Sequence, residues 1–318
     1  MDTAVFKGGK IMAKKRSDKE NDISAGGSRA ISKLHVSDVV IVFVIGILSL
    51  TCLLPFWHVA VKSISSNAAV AAKSVYLWPI DVTWDAYRSI IEDGSMTHSM
   101  IYSVEVTVIF TILGMIVCTC AAYPLSRKRL KGRAVITFLL MIPMYFSAGN
   151  LPTYLLYSDL HLLDTMWVLI WPLIYSAYNM LIMKNYFLSN IPDELEESAF
   201  LDGASNFQIL FKIVLPLSKP ILATLTLFYA VGRWNAYGDN MYYIRSNDLK
   251  MAQYKLYEMI LNAQEAASTA LTEATNVTST PEVLQAASVM FVTIPIIIIY
   301  PFVQKYFVKG TMVGAVKG

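Results

Sequence analysis

The chain has 318 residues, of which 55% are hydrophobic and 15% charged, with a formal net charge of +3. That balance excludes an ordinary water-soluble domain, and no nucleic-acid partner is expected. Membrane lipid is the solvent it fits.

Residues 1–37 read as a disordered basic cytoplasmic tail, with Lys7, Lys10, Lys14, Lys15, Arg16, Lys19, Arg29 and Lys33 around Gly26-Gly27-Ser28. The apolar run after it begins too late and runs too long for a cleaved signal peptide. Six runs then reach the ~20 residues needed to cross a bilayer. They lie near 38–60, 99–124, 134–154, 164–186, 212–233 and 287–308. Pro143 and Pro172 fall inside the third and fourth, where neighbouring helices can satisfy the freed backbone groups. The expected organisation is one six-helix membrane domain over 38–308, with outer loops at 61–98 and 234–286 and a cytoplasmic tail at 309–318. Within the last outer loop, 249–264 reads as a helix and 266–281 as a mobile tip.

Nineteen of the 26 basic residues fall on one face of the membrane if the N-terminus is cytoplasmic. They include Arg127, Lys128, Arg129, Lys131 and Arg133 in the loop 125–133. The positive-inside rule then puts both termini, and the polar segment between the fourth and fifth spans, in the cytoplasm.

Catalytic and metal chemistry find little to stand on. No Gly-x4-Gly-Lys-Ser/Thr loop exists, so ATP hydrolysis would need another polypeptide. His35, His58, His98 and His161 are scattered, and Cys52, Cys118 and Cys120 lie within spans as small core residues. Lys184 and Arg233 lie at span ends, where they are expected to snorkel, and Glu105 lies near the outer end of the second span. Without buried carboxylates, a free-standing ion-coupled carrier is the weaker reading.

Between the fourth and fifth spans stands Glu197-Ser198-Ala199-x3-Gly203-x9-Ile213-x-Leu215-Pro216. Asp193 is expected to cap a first short helix, with Glu196 at capping-box spacing. Gly203 falls where that helix ends in a left-handed conformation. Ser205 with Gln208 repeats the capping-box spacing and opens a second helix toward Pro216. Phe200, Leu201, Phe207, Leu210 and Phe211 are then free to pack on the membrane domain or on a partner. The bland alternative is an amphipathic elbow that only links two spans.

This spacing resembles the EAA loop of the permease subunits of binding-protein-dependent ABC importers, with Ser198 in the second position of the triplet. Trp234-Asn235 and the terminal Phe307-Val308-Lys309-Gly310-x3-Gly314-Ala315-Val316-Lys317-Gly318 resemble the carbohydrate-uptake, maltose-permease-like branch. The resemblance implies an all-α membrane protein of MetI-like fold, with six transmembrane helices and both termini cytoplasmic, in a bacterial plasma membrane. It implies that Glu197, Ser198, Ala199, Asp202, Gly203, Ala204, Leu215 and Pro216 couple the chain to a separate cytoplasmic ATPase dimer. Lys309, Gly310, Gly314 and Lys317 would reach the same interface, and Trp234, Asn235 and Tyr237 would face an extracytoplasmic sugar-binding protein. A second, homologous permease would complete the pore. This chain would hold no cofactor, ATP and magnesium being bound by the ATPase.

A sugar path calls for aromatic faces and neutral hydrogen-bonding groups. Tyr145, Asn150 and Tyr154 offer these on the third span and Tyr229 on the fifth. Trp171, Tyr175 and Asn179 recur at i, i+4 and i+8, one face of a continuous fourth span. Interface anchoring is the commoner role for tyrosine and tryptophan near span ends, and a helix–helix hydrogen bond the commoner role for Asn179. Amino-acid or peptide cargo, and a secondary transporter, are the competing readings.

Overall fold

The computed structural model describes the backbone of residues 36–270 and 281–315, and the side chains of 39–262 and 282–301. Among these residues every regular element is a helix. The chain divides into two compact units, Met1–Pro55 and Phe56–Gly318. Helix α1 (Val36–Ser63) begins in the first, where its side chains from Val39 to Pro55 are all exposed. A helix apolar on every side is stable with lipid around it and not with water.

The second unit is organised around the 32-residue α4 (Ser95–Ser126), which packs against α7 (Ala177–Asn190) and α11 (Lys219–Asn235). Val106, Phe110 and Cys118 of α4 meet Met180, Met183 and Phe187 of α7 and Leu225 and Tyr229 of α11 in one core. Gly114 allows the α4–α11 approach: a Cβ there would sit 2.6 Å from Cε1 of Tyr229, closer than van der Waals contact permits. The segment 61–98, expected as an outer loop, carries α2 (Asn67–Ala71) and α3 (Asp85–Asp93) ahead of α4.

Among the described residues three helices are long and apolar enough to cross a membrane unbroken: Val39–Ser63, Ser95–Ser126 and Glu282–Pro301. The other three expected spans are bent pairs. Helix α5 (Arg133–Tyr145) ends two residues past Pro143, where Phe146 turns extended, and α6 (Asn150–Asp159) starts after Gly149 (φ +83°) and leaves at 112°. The fourth is split into short 3-10 turns over Met166–Leu173, around Pro172, and α7, which Ser176 caps; the bend is 45°. The fifth starts later than expected, at Lys219, after an 85° corner at Ser218 flanked by Pro216 and Pro220.

Beyond α11 come α12 (Gly238–Tyr243), a 3-10 turn at Asn247–Leu249 and α13 (Ala252–Ala270). The expected tip at 266–281 falls largely outside the described residues. Helix α14 (Pro281–Ala315) packs on α13, α11 and α3, and Lys62 pairs with its Glu282 at 2.8 Å. Its backbone is helical through Lys309, Gly310 and Gly314, so the segment read as a tail is mostly helix; the side chains there, and Lys317 entirely, lie outside the described residues.

Candidate functional site

Two short helices form the elbow between α7 and α11. Helix α8 (Asp193–Leu201) is followed by α9 (Asn206–Ile209), a π turn (Leu210–Val214) and α10 (Leu215–Leu217). The corner between α8 and α9 is a Schellman motif: Ala204 N–H donates to Ala199 O at 2.9 Å and Gly203 N–H to Phe200 O at 3.0 Å. Gly203 has φ +80°, as its position required. Ser205 and Gln208 form the reciprocal capping box expected of them. The expectation for Asp193 does not hold. Pro192 occupies the capping position with no side-chain bond, and the Asp193 carboxylate turns instead to Lys128 Nζ at 2.8 Å.

That turn exposes what sequence reasoning missed. The basic loop after α4 clamps α8. Arg127 Nε lies 3.1 Å from Glu196 Oε1, both side chains nearly sealed from solvent (4% and 6% exposed). Arg127 Nη1 stands 3.8 Å from Asp193, and Arg129 Nη2 4.0 Å from the other oxygen of Glu196. Arg129 also donates to Asn206 Oδ1 at 2.6 Å and lies 4.3 Å over the Phe200 ring, bridging α8 to α9. The signals were present: Arg127 directly follows α4, whose last turn carries Pro124 and Leu125, and Glu196 shares the buried face of α8 with Ala199 three residues on. Glu197 and Ser198, by contrast, are exposed, as are Asp202 and Gly203. Ala204 and Leu215 are half-buried and Pro216 is exposed. Leu201 is 90% exposed, with Phe207 and Phe211 also in the open, while Leu210 is buried in the core.

The Lys128 hydrogen bond, then its charge and those of Arg127 and Arg133, hold the Asp193 carboxyl below the usual carboxylate range. The same partner raises the Lys128 ammonium. A depressed Asp stabilises the fold above its unfolded value of about 3.9, and loses that effect as pH falls through its folded value. A raised Lys contributes below its unfolded value of about 10.4 and loses it as pH rises through its folded value. Asp193→Asn and Lys128→Gln are therefore expected to give small, non-additive losses in melting temperature at pH 7. Wild type and Asp193→Asn should converge in the detergent-solubilised protein once the pH falls below the depressed folded-state value of Asp193.

The polar candidates of the spans separate into two groups. Asn179 and Tyr229 come together on a cavity of about 240 Å³, with Phe110, Ser176, Arg233 and Asp239. Trp171, Tyr175 and Asn179 do not form one helical face, because the 3-10 turns and the break at Ser176 separate them. Trp171 is exposed beside Leu162 and Trp167, and the Tyr175 hydroxyl donates to Leu140 O at 2.8 Å. Tyr145 and Asn150 are exposed on either side of the 112° bend, and Tyr154 accepts a hydrogen bond from Arg245 at 2.9 Å. Trp234, expected on the outer docking surface, is buried between α4 and α14, beside Thr107 and Ile296; Asn235 and Tyr237 are exposed. Arg233 does not snorkel. It is 3% exposed, and its Nη1 donates to Leu169 O at 3.0 Å and pairs with Asp239 at 3.0 Å. Lys184 is half-buried and donates to Thr137 at 3.3 Å.

Comparison with known proteins identifies the architecture. The profile described as "Binding-protein-dependent transport system inner membrane component" matches residues 111–313. The chain is 39% identical over 287 residues to the polygalacturonan/rhamnogalacturonan transport system permease protein YtcP of Bacillus subtilis (strain 168), covering 90% of this chain and 100% of that one. A chain from the crystal structure of a bacterial ABC transporter involved in the import of the acidic polysaccharide alginate superposes with a TM-score of 0.78. It is 36% identical and spans 86% of this chain and 99% of its own. A chain 14% identical, from a bacterial alginate ABC transporter in complex with alginate pentasaccharide-bound periplasmic protein, shares the fold at a TM-score of 0.55, over 83% and 92% of the two chains.

Proposed function

The chain belongs to the family of binding-protein-dependent transport system inner membrane components, and we propose that it is a sugar-passing permease whose separate ATPase docks on the α8–α9 elbow. The observation that carries this is the elbow itself. A Schellman corner and an ion-pair clamp hold Leu201, Phe207 and Phe211 outward, with Glu197 and Ser198 beside them. Exposed apolar side chains on so firmly fixed a corner suit a partner's cleft better than open solvent.

In this reading the bent pairs over 133–159 and 166–190 are one crossing each and α11 alone is the fifth, giving six spans over 38–308 with residues 1–37 and the C-terminal end in the cytoplasm of a bacterial cell. The cytoplasmic excess of basic residues supports that orientation. The ATPase dimer binds ATP and magnesium; a second permease completes the pore; an extracytoplasmic sugar-binding protein meets Asn235 and Tyr237. Lys309, Gly310, Gly314 and Lys317 extend the ATPase contact. ATPase closure pushes α8, and the push has two routes into the membrane. One runs through Glu196 and Arg127 to α4, the other through the π turn, Leu215 and Pro216 to α11. The named cargo of the relatives, and the neutral hydrogen-bonding and aromatic groups of the cavity, support a saccharide.

Reconstitution with the ATPase, the second permease and the binding protein tests this. ATP-dependent uptake of an oligosaccharide, absent when the ATPase is left out, is the expected result. Uptake by this chain alone without ATP would overturn it.

A further inference from the structure

We propose that the cavity beside α11 is a carboxylate-reading station, in which Arg233 recognises saccharides that carry uronate groups. This rests on the sugar reading above and narrows it.

The guanidinium of Arg233 is held by one nitrogen only. Nη1 makes both of its recorded contacts, to Leu169 O and to Asp239 Oδ2. Nε and Nη2 are buried and make no hydrogen bond. Buried N–H donors are nearly always paired, so two on one side chain call for a reason. They are not an arbitrary two. Nε and Nη2 share one edge of the planar guanidinium, the edge whose parallel N–H bonds match the two oxygens of a carboxylate. A strut that only tied α11 to Leu169 and Asp239 would need Nη1 alone.

The surroundings suit a sugar acid. Ser176 and Asn179 offer neutral donors and acceptors for hydroxyls, and Phe110 and Tyr229, packed on each other with ring centroids 5.8 Å apart, give the cavity an aromatic wall. Phe110 also lies 5.6 Å beneath the guanidinium and helps fix its plane. The cavity, about 240 Å³, is smaller than the ~300–1,000 Å³ of most ligand pockets, which fits one sugar residue at a time in a passage. Asp239 is the charge that opposes an incoming acid. It is 30% exposed and so partly screened by solvent, whereas the Arg233 side chain is 2% exposed and its charge is screened less. Arg233 stands fourteen residues after Lys219, roughly 21 Å along α11 from the Ser218 corner. Movement of that corner therefore reaches the station through one rigid helix.

The test uses the complete importer in proteoliposomes, with a uronate trisaccharide and its methyl ester as alternative cargo. Two variants are compared with wild type. Arg233→Lys keeps the charge and lacks the paired edge; Arg233→Gln with Asp239→Asn removes both charges together, and recovery of the assembled complex by size exclusion reports its folding. The binding protein is the same throughout, so its own preference cancels in the comparison. The acid-to-ester uptake ratio is expected to fall by about tenfold or more in both variants, the scale of a lost charge-assisted pair. An unchanged ratio, or equal losses for acid and ester, would overturn the station and reduce Arg233 to a strut. Wild-type uptake of neither saccharide would overturn the station; ATP-dependent uptake of a neutral oligosaccharide by the same vesicles would then leave the sugar reading standing, and its absence would overturn that reading too. Should the double variant not assemble, Arg233→Lys decides.

Discussion

Replacing Arg127 by methionine is expected to destabilise the solubilised protein by about 3–5 kcal/mol, because the substitution leaves Glu196 buried without its countercharge. The loss comes from the orphaned carboxylate rather than from the pair's own net strength, which desolvation of both ions largely offsets. The double variant Arg127→Met with Glu196→Leu should therefore recover most of the stability, a non-additivity that a double-mutant cycle in denaturant measures directly. Equal, additive losses would show that the two side chains do not act as a pair. The same double variant separates stability from transmission. If α8 pushes α4 through this contact, the restored protein should still support basal ATP hydrolysis by its partner yet respond less to the binding protein.

Gly203→Val acts on a different link. Open space surrounds the Gly203 Cα, so an added side chain meets no neighbour; the penalty lies wholly in the backbone. At φ +80° a non-glycine residue costs about 1–2 kcal/mol, and a β-branched one sits at the upper end or above. The corner between α8 and α9 then opens to relieve it, and the exposed Leu201 and Phe207 no longer keep their relative placement. A docking conformation reduced in population by ~2 kcal/mol lowers binding-protein-stimulated ATP hydrolysis by about tenfold or more. Gly203→Asn should retain more of it, since asparagine visits the left-handed region more readily. Valine and asparagine variants with full stimulation would remove Gly203 from the coupling account.

How much of this was legible depended on the range of the interaction. The Gly203 turn and the Ser205–Gln208 box are written within a few residues, and both stand where the sequence put them. Asp193 misled because capping-box spacing is equally satisfied by an acidic residue in the first turn, and Lys128, 65 positions away, offered the stronger partner. Arg127 with Glu196 was invisible for the same reason: five basic residues in one loop read as a topology signal, and only the fold distinguishes the buried one. Hydropathy found the apolar runs and not their breaks. Pro143 and Pro172 read as tolerable inside continuous spans, whereas the helices stop after Tyr145 and restart at the Ser176 cap. The single-face reading of Trp171, Tyr175 and Asn179 failed with the helix it assumed. Arg233, read as snorkelling from a helix end, is buried because α12 folds back and brings Asp239 to it.

The central claim is that the elbow faces the cell interior and is gripped there by a separate ATPase. Leu201→Cys reports on it directly, in a background with Cys52, Cys118 and Cys120 replaced by alanine, because Leu201 is the most exposed large apolar residue of the corner. A membrane-impermeant maleimide should leave this cysteine unlabelled in intact cells and label it in inverted vesicles stripped of peripheral proteins. Adding back the ATPase subunit should then protect it. Labelling from outside intact cells, or labelling in inverted vesicles that the ATPase does not diminish, would contradict the account.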